Sequence, residues 1–299
     1  MQNLGADRTT DNSVGSVGGA QAVSGKSPIL ELSGITKRFG RVAVADDLSL
    51  SVARGERLGV IGPNGAGKTS LFGLISGDLE PDAGQVSFDG HPIGKLDAAK
   101  RCRLGIGRTY QVPRPFEKMT VFENVLLAAQ AGAGLEKRAA HGHAFAILEE
   151  TGLARLANQP AGALGLLQRK RLELARALAT RPVLLLLDEV AAGLTDPEVD
   201  ELIGIVDAAS TGEGELAIVW VEHVVRTLLA TVDRLVCLDR GHVLADGAPA
   251  SVMADPRVKE IYLGSEMELS GHVGGRGRPG ENEEIGDIGQ AGQAAAARR

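Results

Sequence analysis

Aromatic side chains are scarce in this sequence: one Trp, two Tyr and six Phe among 299 residues. The position of each is therefore informative. Cysteine is scarcer still, and Cys102 and Cys237 lie far apart in no metal-ligand spacing. That argues against a disulfide scaffold or a zinc site and fits a reducing cytosol. Long hydrophobic runs are missing too: the apolar stretches at 183–187 and 216–221 have five and six residues, against about 20 for a spanning helix. The chain is not expected to cross a bilayer. No basic stretch followed by an apolar core opens the sequence, and Asp7 and Asp11 speak against a signal or transit peptide. Nor is there an excess of positive charge. With 32 Lys plus Arg against 38 Asp plus Glu the net charge is -6, so no nucleic-acid partner is expected.

What is present is an ordinary globular composition, 43% hydrophobic and 23% charged, on a chain long enough for one large domain or two modest ones. Five of the 40 glycines fall in 1–27 and nine in 264–299, among Ser, Gln, Asn and Ala. Such ends bury too little apolar surface to offset their ordering entropy. They read as disordered tails, 1–27 and 265–299, around a core at 28–264.

Within the core, alternating or β-branched segments at 29–32, 48–52 and 86–88 read as strands of a small antiparallel piece. Short apolar runs at 57–61, 183–187, 216–221 and 234–238 read as buried strands, with helical patterns between several of them. Buried strands alternating with helices argue for a parallel sheet covered on both faces, an α/β fold. Between about 112 and 180 the pattern turns helical, notably at 120–130, 139–150 and 168–180, which predicts an inserted α-helical subdomain.

The segment Gly62-Pro63-Asn64-Gly65-Ala66-Gly67-Lys68-Thr69 satisfies G-x-x-x-x-G-K-S/T, follows the strand at 57–61 and opens a helix at 68–76. In that context it is a P-loop, with Ser70 extending the cradle. Glycines let the backbone wrap a phosphate, and the helix N-terminus adds its positive end. Lys68 is expected on the β- and γ-phosphates of ATP and the Thr69 hydroxyl on Mg²⁺. An acid is needed at the end of a neighbouring buried strand. The run Leu184-Leu185-Leu186-Leu187-Asp188-Glu189 supplies Asp188 as the metal-side carboxylate and Glu189 as the residue that polarises the attacking water.

These residues resemble the ATP-binding subunits of ABC transporters, and more closely those of branched-chain amino-acid importers. The resemblance covers nearly the whole core and rests on ordered motifs: the P-loop, Gln111 after Arg108-Thr109-Tyr110, the segment 164–176, Leu184 to Glu189, Ala192-Gly193-Leu194 and Glu222-His223. It implies a P-loop core of ABC type with an N-terminal antiparallel β subdomain. It also implies that Phe39 stacks on adenine, the alternative being a core phenylalanine of the small sheet. Gln111 matches the glutamine that touches Mg²⁺ or the attacking water beside the membrane-partner contact, and His223 matches the switch histidine at the γ-phosphate.

In this family the signature segment of one subunit completes the ATP site of another. Here it reads Leu164-Gly165-Leu166-Leu167-Gln168. Gly165 and Gln168 would face nucleotide across that interface, but Gly165 replaces the usual serine and Leu167 the usual second glycine. A local shift that returns Gly165 to the glycine role is the alternative. Val190 and Thr195 replace the usual proline and aspartate without removing a group from the metal or the water. The resemblance therefore implies a peripheral ATPase subunit at the cytoplasmic face of the membrane. It would work with integral membrane permease subunits and a second, different ATP-binding subunit, moving branched-chain amino acids or related small solutes. Two other readings stay open: a regulatory nucleotide-binding subunit with weak turnover, and a soluble ABC ATPase outside transport. The latter commonly carries two nucleotide-binding halves or a long coiled coil, which this chain lacks.

Overall fold

The computed structural model describes residues 27–211, 216–222 and 225–261. Nearly all of both expected tails, and His223, lie outside the described residues.

Two sheets organise the chain. The first is antiparallel, in the order β2 (Val42–Ala53), β1 (Pro28–Phe39), β4 (Ala83–Phe88) and β5 (His91–Pro92). Strand β1 is much longer than the four residues at 29–32, because register shifts around Gly34 let it bend and keep pairing with both neighbours. The second sheet places β3 (Arg57–Ile61) between β8 (Ala217–Val221) and β9 (Arg234–Asp239). It continues through β7 (Leu184–Asp188) to β6 (Ile106–Arg108) on one side and ends at β10 (His242–Gly247) on the other. All its pairings are parallel except β9 with β10.

Strand periodicity explains the layering. Leu184 and Leu186 of β7, with Val219 and Val221 of β8, join a core shared with Leu30, Leu50 and Val86 of the antiparallel sheet. Leu185, Leu187, Ile218 and Trp220 point the other way into a core made with helices. The continuous apolar runs in the sequence are thus strands buried on both faces. Helix α1 (Lys68–Ser76) contributes Leu71, Phe72, Leu74 and Ile75 to the first core.

After α2 (Ala98–Arg103) and β6, the chain turns helical: α3 (Val121–Ala131), α4 (Lys137–Glu150), two short 3-10 turns, and α5 (Leu166–Ala179). Thr120 and Glu123 cap α3 reciprocally, with Glu123 N–H donating to Thr120 Oγ1 at 3.1 Å. Beyond β7 come α6 (Asp196–Ser210), α7 (Val225–Thr231) and α8 (Pro249–Ala254). Thr195 sits at the N-cap of α6, where its N–H and hydroxyl both donate to Glu198 at 2.8 Å. No helix among the described residues is long and apolar enough to cross a membrane.

One buried cation staples α1 to α2. Arg101, 1% exposed, donates to Leu74 O at 2.6 Å, Ile75 O at 2.9 Å, Leu96 O at 2.9 Å and Gly94 O at 3.0 Å. These include carbonyls that the end of α1 leaves without helical partners. Arg101→Met strips donors from buried acceptors, so stability is expected to fall by about 2–4 kcal/mol. The urea midpoint reads this; an unchanged midpoint would contradict it.

Candidate active site

The P-loop leaves β3 and enters α1 through glycines whose backbones other residues cannot follow. Gly62 has φ 153°, and a Cβ there would stand 2.3 Å from Leu238 O. Gly67, the N-cap of α1, has φ 105°, and its Cβ would meet Val44 O at 2.4 Å. The loop is clamped between β2 and the turn after β9, where Gly241 N–H donates to Ala66 O at 3.0 Å. The first N–H groups of α1 therefore open onto a cavity of about 300 Å³, lined by Asn64 to Ser70 with Val44, Gln111 and Glu189.

Lys68 is buried, and its ammonium folds back onto the loop, donating to Gly62 O at 2.7 Å and Pro63 O at 3.0 Å. Burial lowers its pKa, while the nearby Glu189 and Asp188 carboxylates and Cys237 oppose the fall. An anion in the cradle would act in the same sense as those carboxylates, favouring the charged form.

Asp188 ends β7 and Glu189 follows it. The Asp188 carboxyl accepts from Arg108 Nη2 at 3.1 Å, and its N–H donates to Thr109 Oγ1 at 3.1 Å. Burial raises its pKa, only partly offset by Arg108; a divalent cation would favour the carboxylate. Glu189 is held with φ 47°, a left-handed conformation that costs about 1–2 kcal/mol. Its N–H donates to Val221 O at 2.9 Å. Its Oε2 accepts from Gln111 Nε2, which brings together two residues 78 apart in the chain.

Thr69 and Gln111, which line the cavity, and Asp188, beside Lys68, offer hydroxyl, amide and carboxylate oxygens, the donor chemistry Mg²⁺ takes. The residues present fit magnesium-nucleotide. Other expected residues lie elsewhere. Phe39 is 52% exposed at the end of β1, with Lys37 Nζ 5.7 Å from its ring centroid, so it is not a core residue. Gly165 is the N-cap of α5, in extended backbone with φ -70°, and Gln168 lies in the first turn. Neither lines the cavity. A Cβ on Gly165 would meet only the movable Gln168 amide, at 2.7 Å, so this backbone does not itself require glycine there.

Sequence reasoning did not assign Arg108 a role. It bridges Asp188 to Asp78, at 2.7 Å from the latter, with its guanidinium over the Phe72 and Tyr110 rings. Its place beside Gln111 in the motif is the one sequence signal that pointed there.

A model of the ABC transporter family matches residues 45–192, and one of the branched-chain amino acid ATP-binding cassette transporters matches residues 242–268. The chain is 38% identical over 251 residues to the high-affinity branched-chain amino acid transport ATP-binding protein BraF of Pseudomonas aeruginosa, covering 79% of this chain and 98% of that one. The chain belongs to the ABC transporter ATP-binding subunits. As such it is an ATPase. This ABC subunit is also 32% identical over 240 residues to the lipopolysaccharide export system ATP-binding protein LptB of Escherichia coli K12, covering 80% of this chain and 99% of LptB. Among solved structures it resembles an ATP-binding cassette of an ABC transporter in its ADP conformation. There the TM-score is 0.71 at 32% identity, over 80% of this chain and all of the other.

Proposed function

We propose that this subunit powers an importer of branched-chain amino acids or related small solutes from the cytoplasmic face of the membrane, gripping permease subunits through the surface around Gln111. The observation that carries the reading is the joining of the P-loop cavity and the Gln111–Glu189 contact to a C-terminal segment that matches the branched-chain transporter model.

In this reading Glu189 polarises the water that attacks the γ-phosphate, Gln111 orients that water, and His223 contacts the γ-phosphate. Lys68 and the N–H groups of the loop stabilise charge that develops on the phosphoryl oxygens. Thr69, Gln111 and Asp188 would hold Mg²⁺, which when bound supplies charge neutralisation at the β- and γ-phosphates. Phe39, exposed at the end of β1, stacks on adenine.

Gly165 and Leu167 supply neither the hydroxyl nor the close backbone approach of a full signature segment. The chain is therefore paired with a second, different ATP-binding subunit, and one of the two composite sites is weak. Leu167→Gly is expected to raise the turnover of the chain assembled on itself by about tenfold; brisk, cooperative turnover by the unaltered chain alone would contradict the heterodimer.

Leucine uptake tests the cargo. Cells lacking the gene are expected to lose uptake of labelled leucine and to regain it with the wild-type gene only, while the tagged chain co-purifies with an integral membrane partner. Unchanged uptake, or co-purification with lipopolysaccharide-handling proteins, would favour an exporter like the one LptB is named for.

A further inference from the structure

Helix α5 carries a buried lysine that no step above uses. Lys170 is 4% exposed and reaches out of the helix to donate to two backbone carbonyls, Glu189 O at 2.9 Å and Gln111 O at 3.3 Å. These carbonyls belong to the residues whose side chains meet at the cavity. Burying an ammonium is costly unless its surroundings compensate. Here Glu222, Glu189, Asp188 and Glu173 surround it and oppose the lowering of its pKa by burial.

The backbone it grips is strained. Glu189 has φ 47°, which persists only where neighbours over-determine it. The Glu189 N–H is fixed by Val221 O, its carbonyl by Lys170 and by Ala192 N–H at 3.2 Å, and Ala191 N–H by Glu222 Oε1 at 2.8 Å. The other end of the lever is rigid as well. Arg169 donates to Leu164 O and Gly162 O, both at 2.8 Å, pinning the approach to the signature segment onto α5.

We infer that Lys170 is a positioning residue: its ammonium sets the backbones of Glu189 and Gln111 so that their side chains meet, and it ties that pair to the helix that begins at the signature segment. A shift of the segment against a partner subunit would thus be felt at this chain's own glutamate through two backbone contacts. The inference rests on the catalytic reading of Glu189.

The test is a double-mutant cycle of Lys170→Met and Glu189→Gln, with ATP hydrolysis and ATP binding measured in whichever assembly of the full chain turns over ATP. Lys170→Met alone is expected to lower kcat about 10- to 100-fold with KM for ATP within about twofold, because the P-loop is untouched. In the Glu189→Gln background the same change is expected to cost less than about twofold, since the side chain it places no longer acts. Retained kcat in Lys170→Met, or an equal loss in both backgrounds as general damage would give, overturns the role of Lys170 alone. Full activity in Glu189→Gln overturns the reading of Glu189 and the inference with it. Should methionine at 170 prevent folding, Lys170→Gln, which keeps an amide donor, is read through the same cycle with an intermediate loss expected.

Discussion

Glu189→Gln is expected to keep ATP binding within about twofold and to lower hydrolysis by about 10²- to 10⁴-fold. The substitution preserves shape and leaves the P-loop unaltered; what it removes is the carboxylate that accepts from Gln111 beside the cavity. Glu189 lines the cavity, and in the proposed reading the amide can no longer take a proton from the attacking water. Because the change acts on the chemical step, single-turnover kinetics should show slow cleavage of a nucleotide that binds normally. A variant that hydrolyses at the wild-type rate would remove Glu189 from the chemistry and shift attention to Gln111 or His223.

Lys68→Ala is expected to act earlier, on binding. The ammonium is fastened by its own loop, through Gly62 O and Pro63 O, and stands next to Glu189 and Asp188. In the nucleotide-bound state a charge-assisted hydrogen bond to phosphate would replace part of that arrangement. Losing one or two such bonds is worth about 3 kcal/mol, or about 100-fold in affinity. Titration calorimetry or fluorescent-nucleotide displacement reads it directly. Unchanged affinity would mean that Lys68 serves only to brace the loop.

These expectations come from residues that a reader of the sequence can find, and the reason is physical. A phosphate cradle needs small residues, a cation and a helix start in consecutive positions, so α1 is legible at its observed bounds, Lys68–Ser76. Strands buried on both faces write themselves as apolar runs, which makes β3, β7, β8 and β9 visible. Strand β6 is not, because Ile106-Gly107-Arg108 has no strand signal of its own and exists through pairing with β7. Helix α5 starts at Leu166, ahead of the expected 168, because Gly165 in extended backbone already serves as its N-cap. The polar contacts that set the site were invisible for another reason. Arg108 meets Asp188 across 80 positions and Lys170 meets Glu189 across 19, and neither pairing leaves a periodic trace.

Two departures outside the signature segment are readily accommodated by the fold. Thr195 keeps a capping hydroxyl at the start of α6, and Val190 packs into the helical core at 3% exposure. Gly165 and the half-exposed Leu166 leave their segment open on this chain's own surface. In the proposed heterodimer their consequence would fall on a partner's nucleotide rather than on this chain's own P-loop.

All of this depends on the loop between β3 and α1 gripping the terminal phosphates of a nucleotide. Equilibrium binding of magnesium-ATP to the purified full-length chain measures that most directly. Saturable binding of one nucleotide per chain, lost when Lys68 is changed to Ala, is the expected result. A chain that retains no magnesium-ATP at millimolar concentration while remaining folded would contradict it.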